Sequence, residues 1–184
     1  MELSVTSATE LFVVPKSIPA TLKCPSFEAR IETTVGSETI DSHLGNVSLV
    51  AVAVNRICVQ LGLDDLSAGQ VELCIAEAAT NAIRHAYHGE PGHTVVIALA
   101  AGTDQLNIEV SDSGTPMPVE QEQRLLYGTQ AIEFQTTDRS SLSEGGRGLQ
   151  IIHDLMDEVS YVRSGNMNRL IMRKQLVAPE MERA

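Results

Sequence analysis

An acid, an amide and an imidazole stand at four-residue steps in "EAATNAIRHAY": Glu77, Asn81 and His85. On an α-helix that spacing stacks them on one face, where they can exchange protons and hydrogen bonds with a shared ligand. Two further clusters sit where elements change. "SDSGTP" places the carboxylate of Asp112 at the end of a strand-like alternation. "GGRGLQII" places Gly145, Gly146 and Gly148 ahead of an apolar helical run, the pattern of a loop that offers backbone N–H groups to an anion. Each cluster also has a plain structural reading. A polar stripe is commonly a solvated face, Asp-x-Gly is a common turn, and a glycine run before a helix is also a hinge.

The elements that must position these clusters follow from apolar spacing. Cys74, Ile75, Ala78, Ala79 and Ala82 mark the buried side of a helix from about Ser67 to Tyr87, ended by the turn "HGEPGH". An amphipathic helix over 44–63 precedes it, with Val47, Val50, Val54, Ile57 and Leu61 at three- and four-residue steps and Gly62 as its stop. "SFEARIETTV" (26–35) alternates as a half-buried strand. "TVVIALAAG" and "QLNIEVSDSG" read as two strands joined by "GTD", the second running out at Asp112. Periodicity then fades from Thr115 to Gly148, a length that is either functional or disordered. It returns as a helix over 149–159, followed by a hairpin of "VSYVRSG" and "NRLIMRKQL". The order β-α-α-β-β-loop-α-β-β predicts an α+β fold: a two-layer sandwich with a mainly antiparallel mixed sheet covered on one face by about three helices. Residues 1–25 are expected to be an extension, 26–176 the domain and 177–184 a tail.

Composition narrows the function classes. The chain has 184 residues, 43% of them hydrophobic and 20% charged, as expected for one folded domain. Its 13 basic against 24 acidic residues give a net charge of −11, which argues against a broad nucleic-acid surface but permits a small anionic ligand or a basic protein partner. Cys24, Cys58 and Cys74 are isolated, so neither a disulfide framework nor a zinc site is expected. The first residues lack a basic region followed by a long apolar run, and "VSLVAVAV" is too short to span a bilayer. The expectation is a cytoplasmic protein without membrane or direct nucleic-acid partners.

Taken together and in this order, "EAATNAIRHAY", "DSGTP" and "GGRGLQII" resemble the three boxes of the GHKL ATP-binding fold. The form E-A-x-T-N-A-I-x-H-A-Y and the compact length resemble a smaller branch, the bacterial anti-sigma-factor serine-protein kinases, over about 26–176. The resemblance implies ATP and Mg²⁺ as cofactors, with Asn81 as the metal ligand and Glu77 as the general base that activates the attacking hydroxyl. It assigns Arg84 and His85 to the metal or phosphates, Asp112 to the adenine amino group, and Gly114 and Thr115 to the base pocket. Gly145, Gly146, Arg147, Gly148 and Leu149 fall to the phosphates at a helix start, and 115–144 becomes a mobile ATP lid. The chain has no G-x-x-x-x-G-K-[ST], so no P-loop is present.

One position departs from the pattern. Relatives often carry a basic residue just before the glycines, where this chain has Glu144; Arg139 or Arg147 would then have to face the transferring phosphate. The implied function is a serine/threonine kinase that holds a sigma factor, phosphorylates a small STAS-type anti-anti-sigma protein, and pairs with a second copy. A weakly catalytic ATP-binding switch acting through protein contacts is the alternative. A third reading is an interaction domain that binds no nucleotide.

Overall fold

The computed structural model describes residues 33–128 and 145–176. Residues 1–32, 129–144 and 177–184 lie outside the described residues. With them lie the extension, most of the expected first strand, Arg139, Glu144, the tail and the greater part of the expected lid.

Strand β1 (Thr33–Asp41) leads into helix α1 (Leu44–Gln60) and helix α2 (Asp65–Asn81). A π-helical turn, Ala82–Ala86, continues α2. The hairpin β2 (Thr94–Ala101) and β3 (Gln105–Asp112) follows, then α3 (Val119–Tyr127), α4 (Gly145–Leu155) and the hairpin β4 (Glu158–Ser164) and β5 (Met167–Gln175).

Local chemistry starts and stops the two long helices. His43 caps α1, its Nδ1 accepting from the Gly45 N–H, and the chain turns out at Gly62 with φ +95°. Asp64 caps α2 by accepting from both the N–H and the hydroxyl of Ser67, each at 2.8 Å. Those bonds hold the Asp64 carboxyl below its usual value.

The sheet order is β1-β2-β3-β5-β4, and every neighbouring pair is antiparallel. Register lines up the core in cross-strand rows. Ile97, Val110, Leu170 and Tyr161 form one, and Leu99, Ile108, Met172 and Val159 the next. The helices cover this face: α1 packs on α2, α2 on α4 and α4 on α3. The opposite face carries polar pairs such as Arg169 with Glu109 and Arg173 with Glu158, as an open antiparallel sheet does. The two-layer α+β reading and the element order are therefore borne out.

Four local features differ from the sequence reading. The first strand extends on to Asp41, through "GSETI", where Gly36 sits at a register shift that interrupts the alternation. Helix α3 forms inside the expected lid because "VEQEQRLLY" buries little besides Leu125 and so leaves a weak apolar signal. Helix α4 begins at Gly145, where glycines give no periodicity, and it ends at Leu155, so Glu158 and Val159 belong to β4. Finally, the stripe of the opening motif does not stay α-helical. Tyr87 N–H bonds the Ala82 carbonyl at 3.0 Å, five residues back, which widens the last turn.

Candidate functional site

Between α2, the loop after β3 and the ends of β4 and β5 lies a cavity of about 240 Å³. Its floor is the row Val110, Leu170 and Tyr161, laid side by side by strand register. The next row is Asp112, Asn168 and Arg163, so the polar edge of the site is also set by pairing. Helix α2 and its π turn supply the other wall through Ala78, Asn81, Ala82 and His85.

Asp112 is half-buried at this edge. Its Oδ1 accepts from the Asn168 amide at 2.7 Å and from the Gly114 N–H at 2.9 Å. Among the described residues nothing bonds Oδ2, which remains free to accept. Burial pushes the carboxyl above its ordinary value, and the two donors to Oδ1 only partly offset that. Asn168 is 3% exposed and also donates to the Gly114 carbonyl at 3.0 Å.

Gly114 is tightly packed. A Cβ built there would lie 2.4 Å from the Ala86 carbonyl oxygen, and Thr115 N–H bonds that same oxygen at 2.9 Å. The close approach this glycine permits is thus to the π turn, and its φ is not positive. Tyr87 fastens the same junction: its hydroxyl donates to the Thr94 carbonyl at 2.6 Å and accepts from the Ser113 N–H at 2.8 Å.

At the other end of the cavity, Gly148 brings α4 against α2. A Cβ on Gly148 would lie 2.3 Å from Glu77 Oε2 and 3.7 Å from Asn81 Nδ2. The Asn81 amide nitrogen is buried and has no hydrogen-bond partner. A buried unpaired amide costs about 1–3 kcal/mol, a cost that an acceptor oxygen of a bound ligand would remove. Among the described residues no group of three or more His, Cys, Asp or Glu is gathered to hold a metal ion. The amide oxygen of Asn81, beside the Glu77 carboxylate, is of the ligand type that fits Mg²⁺, an ion that keeps several waters and needs few protein ligands.

Of the residues singled out in the sequence, Asn81, His85, Asp112, Thr115 and Leu149 line the cavity. Glu77 and Gly148 meet just beside it, and Gly114 seals its corner. Gly145, Gly146 and Arg147 begin α4, with Arg147 exposed. Arg84 is exposed and is not part of the lining, although its neighbour His85 in the same π turn is. Arg139 lies outside the described residues. Cys58 and Cys74 are buried, and burial pushes both thiols up to about 12, which leaves neither as a nucleophile.

Sequence reasoning missed Asn168, Tyr161, Arg163 and Met117. Met117 N–H donates to Tyr161 Oη at 2.9 Å, and the Met117 carbonyl accepts from Arg163. No local signal marks these residues; β3–β5–β4 register carries Asn168, Tyr161 and Arg163 to Asp112, and Met117 follows Asp112 in the loop after β3.

Comparison with known proteins agrees with this arrangement. A family described as the histidine kinase-like ATPase domain matches residues 40–174. The anti-sigma F factor of Oceanobacillus iheyensis is 30% identical over 135 residues, covering 71% of this chain and 85% of that protein. The serine-protein kinase RsbW of Bacillus velezensis is 32% identical over 132 residues, 71% of this chain and 78% of that protein. The Listeria monocytogenes RsbW is 26% identical over 136 residues, with 74% and 83% covered. The chain belongs to the histidine kinase-like ATPase domain family, within the anti-sigma-factor serine kinases.

Proposed function

We propose that this protein is an ATP-dependent serine-protein kinase that also acts as an anti-sigma factor, with 26–176 as its kinase domain. The observation that carries the reading is one cavity that joins a free acceptor on Asp112 to the unpaired amide of Asn81, with the Glu77 carboxylate one helical turn from Asn81.

In this reading Asp112 Oδ2 accepts from the exocyclic amino group of adenine. Guanine would present a carbonyl there, so adenine is favoured. Asn81 would hold Mg²⁺ through its amide oxygen, and the ion would supply neutralisation of phosphate charge. His85 and Thr115 flank the nucleotide, and Gly145, Gly146 and Leu149 present the start of α4 to the phosphates. Glu77 takes the proton of a serine or threonine hydroxyl on the antagonist as that oxygen attacks the γ-phosphorus; the bond from that phosphorus to the β,γ-bridging oxygen breaks and ADP leaves with its electron pair. Arg84, Arg139 and Arg147 are the cations available to the transferring group. The partners are a sigma factor and a small STAS-type antagonist, with pairing of two copies, in the cytoplasm. Among the described residues no helix is long and apolar enough to cross a membrane.

Incubation with radiolabelled ATP and the antagonist should give phosphoprotein that a Glu77→Ala chain fails to make. Equal label with both chains would remove Glu77 from the mechanism. A second reading, a switch that binds ATP without transfer, is favoured by the exposure of Arg84 and Arg147, away from the cavity. Mg-ATP binding that changes partner affinity with no turnover over hours would select it.

A further inference from the structure

The segment Pro116-Met117-Pro118 walls the cavity on the side facing β4. Proline has no N–H, so Met117 holds the one backbone donor of the three residues. That donor is taken by Tyr161 Oη, and the Met117 carbonyl is taken by Arg163 Nη2. The same guanidinium nitrogen donates to Glu122 Oε2 at 2.9 Å, on α3, next to the cavity-lining Gln121. Arg163 Cζ sits 5.4 Å from the centre of the Tyr161 ring, so the two side chains brace each other. They stand two apart on β4 and therefore on one face of the strand.

We propose that Tyr161 and Arg163 are positioning residues for nucleotide binding. From β4 they hold both peptide groups of Met117 and the first turns of α3, which keeps the cavity wall in its binding shape before the ligand arrives. The inference rests on reading the Asp112 cavity as the adenine site. Without the fastening, the wall could swing as a unit from Thr115 to α3, and binding would have to order it. Preorganisation removes that cost from affinity. The fastening sits on an edge strand, and Arg163 is 42% exposed in its ion pair, so its loss removes shape at the site more than stability of the fold.

Calorimetry on the full chain, with Mg-ADP and Mg-ATP as probes, tests this on Tyr161→Phe, Arg163→Ala, the double variant and Asp112→Asn. Each single variant should weaken both nucleotides by the same factor, about three- to tenfold, since the wall meets the base end. The double variant should lose less than the product of the singles, because both hold one segment. Exchange of the Met117 amide should quicken in Tyr161→Phe, while the nucleotide-free melting temperature stays close to that of the parent. Affinities within twofold of the parent for the clamp variants, beside a large loss for Asp112→Asn, would overturn the positioning role alone. So would losses that multiply independently and track a fall in nucleotide-free stability. Unchanged binding by Asp112→Asn would instead overturn the adenine reading, and this inference with it.

Discussion

At the Asp112 end of the cavity the polar groups are matched within the protein except for one free acceptor, Asp112 Oδ2. Asp112 Oδ1 takes two hydrogen bonds, Tyr161 Oη takes the Met117 N–H, and Tyr87 Oη joins Thr94 to Ser113. At the Asn81 end they are not. The Asn81 amide nitrogen is buried and unpaired, Glu77 is pressed against Gly148, and Arg84 and Arg147 are exposed. The contrast teaches where each decision is made. In the proposed reading, the groups that would recognise the base are fixed in advance by the fold. The proposed phosphate end is left unfinished, and a charged ligand would complete it.

The largest effect should come from the unfinished end. Glu77→Gln keeps the shape beside Gly148 but removes the base, so phosphoryl transfer should fall about a thousandfold with Mg-ATP affinity nearly unchanged. A single-turnover transfer assay beside calorimetry measures both. Parallel losses of binding and transfer would erase the distinction between the two ends.

Next comes the built end. Asp112→Asn keeps the acceptor for Asn168 and Gly114 but turns the free oxygen into a donor, and ATP affinity should drop about a hundredfold, the scale of a lost charge-assisted bond plus a misplaced donor. ATP and GTP titrations should show the preference between them narrowing.

Two glycines sharpen the comparison further. Gly114→Ala drives a Cβ into the Ala86 carbonyl, backbone that cannot step aside, and should cost about 1–3 kcal/mol in urea unfolding. Gly148→Ala meets the far end of the Glu77 side chain, which can swing away, and alanine is worth up to about 1 kcal/mol more than glycine within a helix. Its stability should therefore change little while transfer falls. Equal stability losses would mean that both ends are packed alike.

The smallest effect is a pH dependence. Burial raises the Asp112 carboxyl above its ordinary 3.8, so the folded chain binds that proton more tightly than the unfolded chain. The group's contribution to stability is therefore fully present below its ordinary value of 3.8 and is lost as pH rises through the raised value, above which it no longer changes with pH. Nucleotide affinity should run the other way, weakening as the carboxylate is protonated. Melting curves of the nucleotide-free chain across this range should show Asp112→Asn unfolding no lower than the parent at neutral pH.

Legibility in the sequence followed the range of the interactions. The caps and stops of α1, the helix around Glu77 and Asn81, and the hairpin ending at Asp112 are written in neighbouring residues, and they stand where apolar spacing puts them. Helix α3 was invisible because its buried side is little more than Leu125. The π turn was invisible because it needs the packing of Ala86 against Gly114, which periodicity does not encode. The three boxes could be recognised as a set, since each is local, whereas Asn168, Tyr161 and Arg163 could not.

The sequence by itself determined the class of the fold and the groups proposed to meet a nucleotide, since side-chain chemistry and three- to four-residue spacing need nothing beyond the nearby chain. Tertiary structure alone decided which oxygen of Asp112 is free, that Asn81 is left unpaired beside Glu77, and that β4 fastens Met117. Those facts depend on strand register and on α4 meeting α2, contacts between segments tens of residues apart that only the closed core brings into hydrogen-bonding distance.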